Sequence, residues 1–267
     1  MSSNPSAFET LSVEPVDEHV TVVRLNRPDA SNALNTQMGR DLVRYFEDIA
    51  LEPKGLRCIV LTGAGDKAFC AGGDLKERRG MTDEAWTRQH VIFERMVRAL
   101  IDCPVPIIGA VNGAAYGGGC EIASCCDFLY AAEGARFALT EVTLGIMPGG
   151  GGTQTLPRAV GERRAKELIL TGKPFTATEA HAWGLVNEVF PLSELMPAAL
   201  ATASRIARNA PISVRQAKLA IHRGLQVSLR DGLALEIEAY NRMVPTEDRR
   251  EGVLAFNEKR TPNFKGR

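Results

Sequence analysis

PIIGAVNGAAYGGGCEIASCCD, residues 106–127, sets the fold question for the 267-residue chain. Its first six residues form a short β-branched run that predicts a buried strand. Small residues and three consecutive glycines follow, and then the pattern turns helical from GGGCE. The module is therefore strand, glycine-rich loop, helix. Glu121 stands in the first helical turn with almost no other charge around it. Burying an unpartnered carboxylate costs several kcal/mol, roughly, unless its pKa shifts or a partner is supplied. A structural partner or a chemical use has to account for it.

The same module recurs on either side. CIVLTG, residues 58–63, predicts a buried strand and runs into GAGDKAFCAGGD. Upstream, FETLSVEP and HVTVVRL alternate as strands across the acidic turn VDEH. Met38, Leu42, Phe46 and Ile49 then recur at helical spacing. Thr82, followed by Asp83 and Glu84, reads as an N-cap, with Phe93, Val97 and Leu100 on one helical face. Downstream, DFLYAA and ARFAL predict strands, PGGGG a loop, and TATEAHAWG a helix with a Thr start and a Gly stop. LVNEVF is a last short strand, and helices alone are expected from about Leu192. These patterns predict an α/β core over residues 1–200 and a C-terminal helical region over 201–267.

Bulk composition removes several function classes. Apolar residues make up 45% and charged residues 24%, in the range of globular proteins. Lys plus Arg equals Asp plus Glu at 32 each, which provides no electrostatic footprint for nucleic acid or an anionic membrane. No run approaches the length of a membrane span, and the first residues lack the basic and apolar regions of a secretory leader. The six cysteines show neither C-x-x-C pairs nor a disulfide framework and suit a reducing cytoplasm. Four scattered histidines without H-E-x-x-H predict no metal site.

LTGAGDKAF superficially matches a dinucleotide fingerprint, but CAGGD shortly afterwards would break the helix that such a site requires. FCAGGD and AAYGGGCE make more sense together, since two glycine loops after strands could aim two backbone N–H groups at one oxyanion. Close packing of strand and helix is the alternative use of those glycines. Glu141 follows a strand and has apolar neighbours, as Glu121 has. Two carboxylates in a low-dielectric pocket could divide acid and base roles; ion pairs to Arg136 or Arg158 are the structural alternative.

LNRPDASNALN, AFCAGGDLKE, the opening segment, TEVTLGIMPGGGGTQTLPRAVG and EGVLAFNEKRTPNF, in this order, resemble the crotonase (enoyl-CoA hydratase/isomerase) superfamily. The resemblance runs from about Glu14 to Phe264. It implies a spiral of ββα units, a helical trimerisation region, and a hexamer built as a dimer of trimers. It implies that Glu121 and Glu141 are the catalytic pair and that the N–H groups of Ala71 and Gly118 form the oxyanion hole. Coenzyme A would enter as part of an acyl-CoA substrate, with no separate cofactor. Ala30 and the loop Ala71, Gly73, Asp74, Leu75 would hold it, with Phe256 and Lys259 reaching in from a neighbouring subunit. Asp29 stands where many relatives carry a basic residue, so Arg24 or Arg27 would have to meet the phosphates. The segment from Arg78 to His90, with Trp86, and the region around Met147 are expected to shape the acyl pocket.

The expected reaction is hydration of a 2-enoyl-CoA, and the chain as a whole resembles hydratases that act on methylthioacryloyl-CoA in dimethylsulfoniopropionate breakdown. Thioester hydrolysis and isomerisation are the alternatives on the same fold. A silent CoA- or RNA-binding protein fits less well with two retained glutamates and zero net charge. A two-carboxylate glycosidase fits poorly with 6% aromatic residues.

Overall fold

A computed structural model describes residues 8–267, so part of the N-terminal stretch read for a leader lies outside the described residues. Strands β1 (Leu11–Pro15) and β2 (Val20–Leu25) pair antiparallel across the acidic turn, where Asp17 accepts the N–H groups of His19 and Val20. Helix α1 (Thr36–Leu51) starts at Asn35, whose side chain accepts the N–H of Met38, and it buries Met38, Leu42 and Phe46.

The chain then winds as a spiral. β3 (Cys58–Gly63) leads to β4 (Ala68–Cys70), then to the short α2 (Leu75–Arg78) and the long α3 (Asp83–Ile101). β5 (Ile107–Val111) leads to β6 (Ala114–Tyr116) and α4 (Gly118–Ser124). β7 (Phe128–Ala132) leads to β8 (Arg136–Ala138), a one-turn 3-10 helix at Glu141–Leu144, then α5 (Gly152–Val160) and α6 (Glu162–Thr171). In each turn the first strand joins a six-stranded sheet, ordered β1-β2-β3-β5-β7-β10, and the second joins a four-stranded sheet, ordered β4-β6-β8-β9. The last strands are β9 (Phe175–Thr176) and β10 (Glu188–Phe190), flanking α7 (Ala177–Ala182), which opens on a Thr176–Glu179 capping box. DFLYAA and ARFAL, adjacent in sequence, therefore belong to different sheets.

Parallel pairing of β3, β5 and β7 explains their continuous apolar runs, because both faces of such a sheet are covered. Every residue of β3 and β5 is buried. Asn112 fixes the corner between the sheets: its side chain donates to Gly63 O and Gly65 O and accepts the N–H of Gly63. No helix follows β3, which removes the dinucleotide reading of LTGAGDKAF.

Helix α8 (Leu192–Ala207) buries Leu195, Ala199, Ala203 and Ala207 and packs on the six-stranded sheet, so the boundary expected at residue 200 falls inside it. Beyond it lie α9 (Pro211–Gly224), α10 (Leu229–Asn241) and α11 (Glu247–Asn257). These bury little: Ile221, Leu225, Leu229, Leu233, Ile237 and Phe256 are all exposed. The chain end folds back, with buried Asp248 accepting the N–H groups of Lys265 and Gly266 and Arg57 donating to Phe264 O.

Candidate active site

The turn into α4 is set by Gly117 at φ +50°, a conformation that side chains rarely adopt. One residue into the helix, a β-carbon on Gly119 would stand 2.0 Å from Cys70 O, so only glycine lets α4 lie against β4. Glu121 is thereby buried at 5% exposure. Its Oε1 accepts the N–H of Gly150 at 2.8 Å and of Gly152 at 2.9 Å. Gly152 opens α5, so the carboxylate also lies at the positive end of that helix. The partners of the buried charge are backbone amides, not arginines. Arg158 donates instead to Gln154 and Gln226, and Arg136 is exposed on β8. Burial raises the pKa of Glu121, opposed by the two amides and by Arg78.

Glu141 leaves β8 in the one-turn helix and is also buried. Its Oε1 lies 3.2 Å from the position of a β-carbon on Gly117, which brings it beside the entrance of α4. Its Oε2 is buried with no hydrogen-bond partner. Burial, reinforced by the charge of Glu121, raises its pKa to about 7, against the opposing pull of its own backbone and Arg78. The two carboxylates, 20 residues apart in sequence, line one cavity of about 710 Å³.

Ala71, expected as an oxyanion donor, is not free: its N–H donates to Ser31 O at 3.0 Å. The reason is the loop at residues 31–34, which lies along residues 71–74 and takes up the N–H groups of Ala71 and Asp74 and the carbonyl of Gly72. Gly73, expected only as a coenzyme A contact, follows the turn at Gly72, whose φ is +92°. Among the described residues no acceptor takes the N–H of Gly73 or of Gly118, the first residue of α4. The Gly73 nitrogen lies 3.8 Å from where a β-carbon on Gly118 would stand. Two adjacent free amides beside two carboxylates can polarise a carbonyl while a proton is moved next to it.

Other expected residues divide clearly. Ala71, Gly73 and Leu75 line the cavity, with Arg78, Trp86, His90 and Met147 from the expected acyl wall. Ala30 and Asp74 do not line it. Asp74 caps α2 through the N–H groups of Lys76 and Glu77 and pairs with Arg27 at 2.9 Å. Burial pushes its pKa up, but the Arg27 and amide contacts outweigh that and hold it low. Arg27 is thus committed within the fold, and Arg24 pairs with Glu14 at 3.7 Å on β1. Phe256 and Lys259, at the end of α11, are exposed and away from this chain's cavity. Sequence reading missed Gly150 and Gly152 as the partners of Glu121; PGGGG just before a helix was their signal.

A family model described as enoyl-CoA hydratase/isomerase matches residues 16–267. The chain is 43% identical to the 2,3-dehydroadipyl-CoA hydratase of Escherichia coli, over 94% of this chain and 96% of that protein. It is also 43% identical to the short-chain-enoyl-CoA hydratase of Clostridium acetobutylicum, over 93% of this chain and 95% of that one. A crystal structure of an enoyl-CoA hydratase from Bacillus anthracis superimposes with a TM-score of 0.94 at 46% identity, covering 97% of this chain and all of the other.

Proposed function

The chain belongs to the enoyl-CoA hydratase/isomerase family, and we propose that it adds water across the 2,3 double bond of an enoyl-CoA. The observation that carries this reading is Glu141 Oε2, buried and unpartnered beside a second carboxylate held by amides. That is the arrangement hydration needs: one carboxylate to take a proton from water and one acid to return a proton to carbon.

The thioester carbonyl accepts the N–H groups of Gly73 and Gly118, which stabilise negative charge as it develops on the oxygen. Glu121, stabilised as an anion by Gly150 and Gly152, takes the proton of the water whose oxygen bonds to C3. Glu141, close to half protonated at neutral pH, delivers a proton to C2. Bound substrate excludes bulk water and strengthens both interactions.

Leu144, Met147, Val91 and Trp86 give the acyl side of the cavity an apolar wall, with Arg78 as the cation among them. The exposed apolar faces of α9 to α11 support assembly into trimers and a hexamer, in which a neighbour's Phe256 and Lys259 complete the coenzyme A site. Six free cysteines, five of them buried, suit a cytoplasmic setting. Among the described residues no helix is long and apolar enough to cross a membrane.

The test follows crotonyl-CoA by loss of its conjugated absorbance while free thiol is titrated in parallel. Hydration removes the absorbance and releases no thiol. Stoichiometric thiol release would replace the hydratase reading by thioester hydrolysis, and no change in either signal for any enoyl-CoA would end both.

A further inference from the structure

We infer that the acyl pocket receives a chain bearing a second, distal carboxylate, with Arg78 as its receptor. This rests on the acyl-CoA reading above and specifies the substrate class within it.

Arg78 ends α2 and lines the same cavity as the two glutamates. Its guanidinium lies over the Trp86 ring at 4.3 Å and near Phe93 at 5.6 Å. Nε donates to Gln89 Oε1 at 2.9 Å. Gln89 is itself buried and held, donating to Thr36 Oγ1 and Glu77 Oε2, each at 2.8 Å. Residues of α1, α2 and α3 therefore fix the plane of this guanidinium. Among the described residues its two terminal nitrogens make no hydrogen bond and no ion pair.

The nearby acids do not serve as its partners. Glu77 accepts the N–H of Thr36 as well as Gln89. Glu121 is bonded to two amides, and Glu141 carries less than a full charge near neutrality. A half-buried cation with a rigid, open fork, stacked on an indole, is a ready-made receptor for a carboxylate. A purely hydrocarbon chain would instead leave those donors desolvated and unpaired, which disfavours it. The fork is close to the reacting end, since a β-carbon on Gly73 would stand 3.2 Å from Arg78 Cζ. The chain between thioester and carboxylate is therefore short.

The test compares saturated ligands by calorimetry, so that no turnover is required: succinyl-CoA against butyryl-CoA, glutaryl-CoA against valeryl-CoA, adipyl-CoA against hexanoyl-CoA. The carboxylate-bearing member of at least one pair should bind about 10- to 100-fold more tightly, the scale of hydrogen bonds to a charged group. In Arg78→Gln that preference should collapse, and Arg78→Lys should restore only part of it. Equal or weaker binding of the diacid thioester at every length in the wild type overturns the inference, with no variant needed. So does a folded Arg78→Gln protein that keeps the preference. Failure of both members of every pair to bind would overturn the acyl-CoA reading and this inference with it.

Discussion

Glu141→Gln should change stability in a way that depends on pH. The folded protein raises this carboxyl from its ordinary 4.5 to about 7, so it favours the protonated form. A group shifted upward in this sense contributes stability below its unfolded pKa and loses that contribution as pH rises through the folded value. At about 1.36 kcal/mol per pH unit, the full contribution has an upper bound of about 3 kcal/mol. Solvent reaches the cavity beside Glu141, so screening reduces this to about 1–2 kcal/mol. Glutamine imitates the neutral acid at every pH. Variant and wild type should therefore be nearly equally stable below about pH 4, and the variant should be more stable by about 1–2 kcal/mol above about pH 8. For a chain of this length that is a Tm difference of about 2–4 °C. Thermal unfolding of the unliganded proteins across this range, at one fixed protein concentration, reads it directly. A difference that stays flat with pH, or narrows as pH rises, would refute the burial argument for Glu141.

Glu121→Ala and Glu141→Ala should each lower kcat on crotonyl-CoA by about 10²-fold or more with little change in KM, as expected for one acid/base group; near-normal turnover in steady-state assays would rule out the two-carboxylate mechanism. Gly150→Ala places a methyl group 2.7 Å from Glu121 Oε2, and should lower kcat while circular dichroism stays native. Gly118→Pro deletes a free N–H and should cost about 10²–10³ in kcat; Gly117 is no neutral control, because its φ of +50° strains any side chain. Removing the residues after Val244 deletes α11, and should reduce oligomer size and coenzyme A affinity together in sedimentation and binding measurements. A smaller species that still binds coenzyme A tightly would separate the tail from the site.

The sequence by itself determined the longer strands and several helices of the spiral, because these carry local signals, whereas β4 and β6, read as parts of glycine-rich loops, exist only through pairing in the second sheet. CIVLTG and PIIGAV read as buried strands from their unbroken apolar runs, Thr82 as a cap from its side-chain oxygen, and the lone Glu121 as a carboxylate in need of an explanation. Resemblance added the pairing of Glu121 with Glu141. Tertiary structure decided which backbone groups are free, since that depends on what lies alongside. The loop at residues 31–34 occupies the N–H groups of Ala71 and Asp74 and leaves that of Gly73 open, a pattern that composition cannot reveal. Likewise, the amides that hold Glu121 come from 29 and 31 residues away, and the clamp on Arg78 from helices far apart in sequence. Hydrogen bonds and desolvation act through space, so the chemistry of this pocket was fixed only when the spiral brought those loops together.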